Sequence, residues 1–220
     1  MITIPILENI LLFTTAAGLL IIMPGPAVLY IVAKSMERGH KAGVVSVLGI
    51  SIGGLVHVIA AGFGLSALLV ASATAFAILK YLGAFYLIFL GVKKLLEKKR
   101  YNQQVLVTHS KTPLSRLFFE GVILNVFNPK TAIFFLAFLP QFISVEKGGV
   151  SSQIIFLGFL FIGIAVISDL IYVFLSAKIA GWLKNSPLYG RIHQYISGGI
   201  YVLLGLMTFA ISQPSGDTNK

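Results

Sequence analysis

The sequence predicts an all-α integral membrane protein of six transmembrane helices, arranged as two inverted three-helix repeats in which helices 1 and 4 are broken. Three observations carry this prediction. Apolar runs of about 18 residues or more, long enough to span the hydrocarbon core of a bilayer, recur along almost the whole chain. Only 11% of the 220 residues are charged and 57% are hydrophobic, with a mean hydropathy of +0.93; globular domains carry about 25% charge. That is too little polar surface to cover a soluble core. Lastly, proline interrupts two of the runs at corresponding places in the two halves of the chain.

The first run, Ile6–Ala33, has no Lys/Arg segment before it and is too long and too Pro-interrupted for a cleaved signal, so it reads as a retained helix carrying Pro24-Gly25-Pro26. The second, Val44–Val70, contains Gly49 and Gly53, a small-xxx-small pair that lets a neighbouring helix approach closely. The third is Thr74–Val92. After it comes "KKLLEKKRYNQQVLVTHSKTP", the only long polar connector. The fourth, Leu117–Ile143, is broken at Asn128-Pro129-Lys130, and the fifth, Ser152–Ala177, carries Asp169. The sixth, His193–Ile211, is Gly-rich and opens with His193-Gln194. Beyond Gln213 the polar tail "PSGDTNK" is expected to be disordered. Trp182, Tyr189 and Tyr195 flank helix ends as interfacial belt residues, and Glu120 is expected to be solvated at an interface.

Charge sets the orientation. Connectors 1–2, 3–4 and 5–6, with the adjoining helix ends, hold 13 of the 17 Lys and Arg residues, from Lys34, Arg38 and Lys41 through Lys93–Arg116 to Lys178, Lys184 and Arg191. The opposite side has only Lys147 and Lys220, plus Lys80 near a helix start. The positive-inside rule then places both termini outside the cytoplasm of a bacterial inner membrane. The repeat is visible in "GAFYLIFLG" from Gly83 and "GGIYVLLG" from Gly198, and in the matched Pro breaks. Residues 1–100 form the first three-helix unit and 101–220 the second, with the polar tail at its end. Three spans per half force opposite orientations.

Several function classes drop out. Without cysteine there is no disulfide, thiolate metal site or cysteine nucleophile. The net charge of +10 sits between apolar runs, where it sets topology, so no nucleic-acid partner is expected. Gly49–Gly53 matches the G-x-S-x-G elbow, but Ser51 lies inside a helical run rather than on a strand-to-helix turn. No Walker loop, HExxH or paired carboxylates occur, so neither an enzyme nor a cofactor is expected.

The breaks are the candidate site. Pro24 lies about 15 Å along a helix from Lys34, near the middle of a hydrocarbon core of about 30 Å. Pro129 falls at a similar depth when counted from Arg116 and Glu120. Paired interruptions at the midplane point to a transporter's binding site. Pro24 and Pro26 leave the carbonyls of Leu20 and Ile22 without helical donors, and Pro129 does the same to Asn125. Such carbonyls persist only where protein, water or substrate meets them. The half-helices beyond the breaks present positive dipole ends, so carbonyls and N–H groups side by side suit a zwitterion, against the plainer reading of a packing kink. Asn125 and Asn128 have amides able to bind substrate or to cap the broken helix.

Lys130 is a charge at mid-depth and needs an anion. Asp169 is the one carboxylate far from a span end, about 13 Å along the helix from Lys178. The two form either a structural ion pair or a substrate site, with a substrate carboxylate at Lys130 and the ammonium, or a proton, at Asp169. His57 lies mid-span on the second helix, where a histidine could carry protons or simply pack.

The stretches "GLLIIMPGPAVLYIVAKSMERGHKAG" and "FFEGVILNVFNPKTAIFFLAFLPQF", with "YLGAFYLIFLGVKKL" in the third span, resemble the LysE/RhtB family of bacterial amino-acid exporters. The resemblance covers Ile6 to Ile211. It implies proton-driven efflux of amino acids or relatives such as homoserine and its lactone. By motif match it carries over Pro24, Gly25, Pro26, Asn128, Pro129 and Lys130; His57 and Asp169 rest on their depth alone. The expected partners are the bilayer and a small amino-acid substrate, with room for a homo-oligomer. Efflux of another solute or a cation, or a membrane protein that transports nothing, is the alternative, and few intramembrane carboxylates are present to hold a hard cation.

Overall fold

Proline ends a helix by removing a donor, and the chain stops and restarts where its prolines lie. The computed structural model describes residues 3–71, 73–96 and 113–185, with single positions at 195, 199, 202, 203 and 206. Helix α1, Leu7–Ile22, stops before Pro24, and α2, Pro26–Arg38, restarts with proline in its first turn, where a missing N–H costs nothing. The two axes are bent by 52°. Helices α3, His40–Ala71, and α4, Ala73–Leu96, follow. Helix α5, Leu114–Val126, ends at the second break. Helix α6, Pro129–Ile133, then continues through a π-helical turn at Phe134–Phe138 and a 3-10 turn at Leu139–Phe142, bent by 44° from α5. A short 3-10 turn at Val145–Lys147 leads into α7, Val150–Asn185.

The described residues are all helix or connection, without a strand. Two stretches, His40–Gly64 and Val150–Ser176, are long and apolar enough to cross a membrane, and counting each bent pair as one span raises this to four. Most of the predicted connector (97–112), the tail after Gln213 and most of the sixth span with its Gly198 repeat lie outside the described residues, as does Tyr189. Hydropathy gives no sign of the π-helical turn at Phe134–Phe138; Pro140, just beyond it, is the local irregularity in the chain. That residue has no N–H for the Leu136 carbonyl four positions earlier, and the Gln141 side-chain amide donates to the next carbonyl, that of Ala137, at 3.1 Å.

Helix α3 runs through the centre, packed on α5, α7 and α2. Its glycines make this possible. A Cβ on Gly49 would lie 2.1 Å from the carbonyl oxygen of Phe118, and one on Gly53 would lie 2.6 Å from that of Val122. Backbone touches backbone here, the close approach that small residues permit between membrane helices. Gly49→Ala should therefore push α5 away and destabilise the fold by about 1–3 kcal/mol, as overpacking does. Gly18→Ala, which has open space around it, should change nothing. Melting temperatures in detergent check both, and equal values would mean that the two helices do not pack through Gly49.

Elsewhere the distribution of polarity is inverted relative to a soluble protein. Phe63 and Phe127 are 75% and 79% exposed, whereas Ser46, Asn125, Asn128, Thr131, Gln153 and Asp169 are buried. Large apolar side chains face outward to lipid and polar ones face inward, where partners are available. The interior apolar cluster is aromatic. Phe13 of α1 packs at 5.4 Å on Phe142, and Phe134 stacks on Phe161 of α7 at 4.8 Å, so the π-helical turn is wedged between α1 and α7. Ser51 donates to the Val47 carbonyl within its own helix. Glu120 pairs with Arg116 and accepts from the Tyr30 hydroxyl at 3.1 Å, tying α2 to α5.

Candidate functional site

The two breaks close on each other. Lys130 enters from the first turn of α6, and its Nζ donates to the carbonyl of Met23, at the end of α1, at 2.6 Å. Its stem lies against Gly25, where an added Cβ would be 3.4 Å from Lys130 Cδ. The carbonyl of Ile22, orphaned by Pro26, accepts from the Tyr172 hydroxyl of α7 at 2.5 Å. The carbonyl of Leu20, orphaned by Pro24, accepts locally from the Met23 N–H at 3.3 Å. Every carbonyl that proline frees at the first break thus finds a protein donor, and two of the donors at this helix end come from the second half of the chain.

At the second break the Asn125 carbonyl, freed by Pro129, accepts from the Asn128 N–H at 3.0 Å and lies 2.9 Å from His57 Nε2. A carbonyl only accepts, so Nε2 carries the proton. The Asn125 amide donates to the Ile50 carbonyl at 2.7 Å, and its oxygen accepts from Thr131 Oγ1 and Asn128 Nδ2. Asn128 Oδ1 caps the Lys130 N–H at 3.1 Å. Of the two roles open to these amides, capping and internal bracing are the ones they perform here.

Between the breaks lies a cavity of about 60 Å³. Gly25 borders it from the first break, Asn125, Asn128 and Lys130 from the second, and Asp169 from α7. Thr131 also lines it, and the rest of its wall is apolar, including Leu20, Val28, Ile50 and Phe161. Asp169 is buried, and among the described residues no hydrogen bond or ion pair reaches its carboxylate. The direct Lys130–Asp169 ion pair is not formed; the lysine holds a backbone carbonyl while the carboxylate faces the cavity.

Five of the residues singled out in the sequence therefore border one space. Pro24, Pro26 and Pro129 shape the breaks without lining it. His57 stands one layer back on α3, stacked on Phe135 at 6.1 Å and bonded to the Asn125 carbonyl. Sequence reasoning missed Tyr172, the Met23 carbonyl and Thr131. Tyr172 had a usable signal: it lies three residues after Asp169, on the same face of α7.

Two broken helices meeting over a half-buried lysine and a buried carboxylate that has no hydrogen-bond or ion-pair partner among the described residues are the architecture of a membrane translocator. Residues 19–212 match the LysE type translocator family, a span that takes in both breaks and the cavity, and the chain belongs to that family. It is 30% identical over 209 residues to YrhP, an uncharacterized membrane protein of Bacillus subtilis (strain 168), across 92% of this chain and 99% of that one. It is also 30% identical over 196 residues to a homoserine/homoserine lactone efflux protein of Salmonella typhimurium, covering 89% of this chain and 93% of the relative. A leucine efflux protein of Salmonella choleraesuis is 32% identical over 133 residues, 60% of this chain and 62% of the relative. No solved structure matches.

Proposed function

We infer that this protein exports amino acids or close derivatives across the bacterial cytoplasmic membrane by proton antiport, with both termini outside. The observation that carries the reading is the cavity shared by Gly25, Lys130 and Asp169. A zwitterion needs a cation, an anion and backbone that it can approach closely, and these three residues supply them. Relatives named for homoserine and leucine efflux support the substrate class. Asp169 can hold either the substrate's ammonium group or a proton. A single group that carries one or the other, and never both, is the elementary requirement for antiport. His57, bonded to the second break, is the candidate to pass protons onward from that side.

The cavity is small. About 60 Å³ is well below the roughly 150 Å³ that holds a benzene ring in an engineered cavity. Substrate entry requires the helices around it to part, and the bends at the two breaks are where an alternating-access motion between residues 1–100 and 101–220 would act.

Uptake of labelled L-homoserine and L-leucine into inverted membrane vesicles tests this. Uptake that depends on the protein and collapses with a protonophore is the expected result. No protein-dependent uptake of any amino acid in a full screen would overturn the reading, and uptake indifferent to the proton gradient would remove the antiport. Orientation is checked separately: reporters fused after Gln213 and within Asn102–Ser110 should report outside and inside respectively. The same signal from both would sink the inverted-repeat arrangement along with the orientation.

A further inference from the structure

The C-terminal end of α1 is a cradle of acceptors. It carries the carbonyls of Ile22 and Met23 at the negative end of the helix dipole, where cations are stabilised. Both are occupied by groups from the second half of the chain: the Tyr172 hydroxyl on Ile22 and the Lys130 ammonium on Met23. A primary ammonium group therefore already sits in this cradle, tethered to the protein's own backbone. Asp169, one turn before Tyr172 on α7, faces the same cavity with no hydrogen bond or ion pair among the described residues.

We propose that the carbonyl cradle at the end of α1 is the site for the substrate's α-ammonium group, that Lys130 is its resident occupant, and that Lys130 leaves it only when a carboxylate arrives to hold it. This rests on the amino-acid export reading for the identity of the substrate, and it makes Lys130 the residue that selects zwitterions over plain amines.

The selection follows from charge. With Lys130 and Asp169 the cavity holds one cation and one anion. A plain amine would bring a second cation into a buried space, which is costly when nothing neutralises it. A zwitterion adds no net charge. Its carboxylate also offers Lys130 a charge-assisted partner, stronger than the neutral carbonyl it must give up. The Met23 carbonyl and Asp169 are then free for the incoming ammonium. Gly25 fits this exchange, since the lysine stem lies against it and no side chain there impedes the swing.

The proposal predicts a gain of function. Lys130→Ala empties the cradle and leaves Asp169 without its counter-charge, so n-propylammonium should enter in place of the missing side chain. Melting temperatures of purified protein in detergent are read with n-propylammonium, with n-propanol as the uncharged isostere, and with L-homoserine and L-leucine. In the parent, at least one of the two amino acids should stabilise and n-propylammonium should not. In Lys130→Ala, n-propylammonium should give a saturable rise of about 3–5 °C at about ten times its Kd, and n-propanol none. Equal effects of amine and alcohol in the variant, no effect of the amine, or a parent that responds to the amine as strongly as the variant would each overturn the proposal. If Lys130→Ala cannot be purified alone, it is prepared in either additive. Recovery with the amine only supports the cradle, and recovery with neither, or with both alike, overturns it. Amine rescue without amino-acid uptake in vesicles would sink the export reading and leave the ammonium cradle standing; uptake without rescue would do the reverse.

Discussion

Gly25→Leu is expected to lower amino-acid transport by about 10- to 100-fold while leaving the protein folded and inserted, the range set by about 1–3 kcal/mol of steric overlap in a packed site. The backbone at Gly25, φ −114° and ψ −169°, is one that any residue adopts, so the effect is one of space and not of strain. The first added atom is harmless. A Cβ there would make ordinary contact with Lys130, 3.4 Å from Cδ and 3.8 Å from Nζ, so Gly25→Ala should retain transport within about twofold. The next carbons of leucine must lie over the lysine stem or enter a cavity of about 60 Å³. Either way they take the room that a substrate, or a departing Lys130, requires. Vesicle uptake for the series Gly, Ala, Leu at matched expression is the measurement. A leucine variant as active as the alanine one would mean that nothing passes close to Gly25.

This graded expectation shows which links were legible in the sequence. That Gly25 stands in a break, and that the break matches one at Pro129, follows from the chemistry of proline alone. Helical rise and the positions of flanking charges gave the expectation that Lys130 and Asp169 stand in the middle of their spans. The partners could not be read in this way. Lys130 finds Met23 and Tyr172 finds Ile22 across 107 and 150 residues of sequence, and such pairings depend on how whole helices lie against each other. An ion pair was one of the two readings open to Lys130 and Asp169. It fails because the break also supplies a carbonyl acceptor, and the lysine reaches that instead. His57 illustrates the converse: its depth was legible, but the Asn125 carbonyl that it serves lies on another helix.

Element ends were blurred for a simpler reason. Helix α3 begins at His40 rather than Val44, and α7 extends from Val150 to Asn185 rather than over Ser152–Ala177. Apolar runs mark where a helix is in lipid, whereas the helix itself continues into polar residues. The same logic hid the turn at Phe134–Phe138: an apolar stretch looks uniform by hydropathy, although Pro140 in it was as informative as Pro24. Gly49 and Gly53 were legible, because small residues at that spacing have few other uses on a membrane helix.

Replacing Pro24 and Pro26 together by alanine should abolish stabilisation by amino acids while leaving stability within about 1–2 kcal/mol of the parent. Two opposing effects set that figure. Each proline removed from what becomes a helix interior relieves about 3 kcal/mol of penalty. Against this, a continuous helix competes for the same carbonyls: the restored N–H groups of residues 24 and 26 for Leu20 and for Ile22, now held by Tyr172, and the N–H that Ala27 already has for Met23, now held by Lys130. Losing a hydrogen bond to a charged group costs about 1.5–3 kcal/mol and losing a neutral one about 0.5–1.5 kcal/mol. Relaxing a 52° bend would also disturb the packing of α2 on α3 and α7. Function has no such compensation. Once the helix takes back its carbonyls, Lys130 loses its resting place and the ammonium site closes. Melting curves with and without L-homoserine or L-leucine, beside vesicle uptake, decide the matter. A double variant still stabilised by the amino acid that stabilises the parent would show that the break serves packing alone, because a binding site built from freed carbonyls cannot survive their return to the helix.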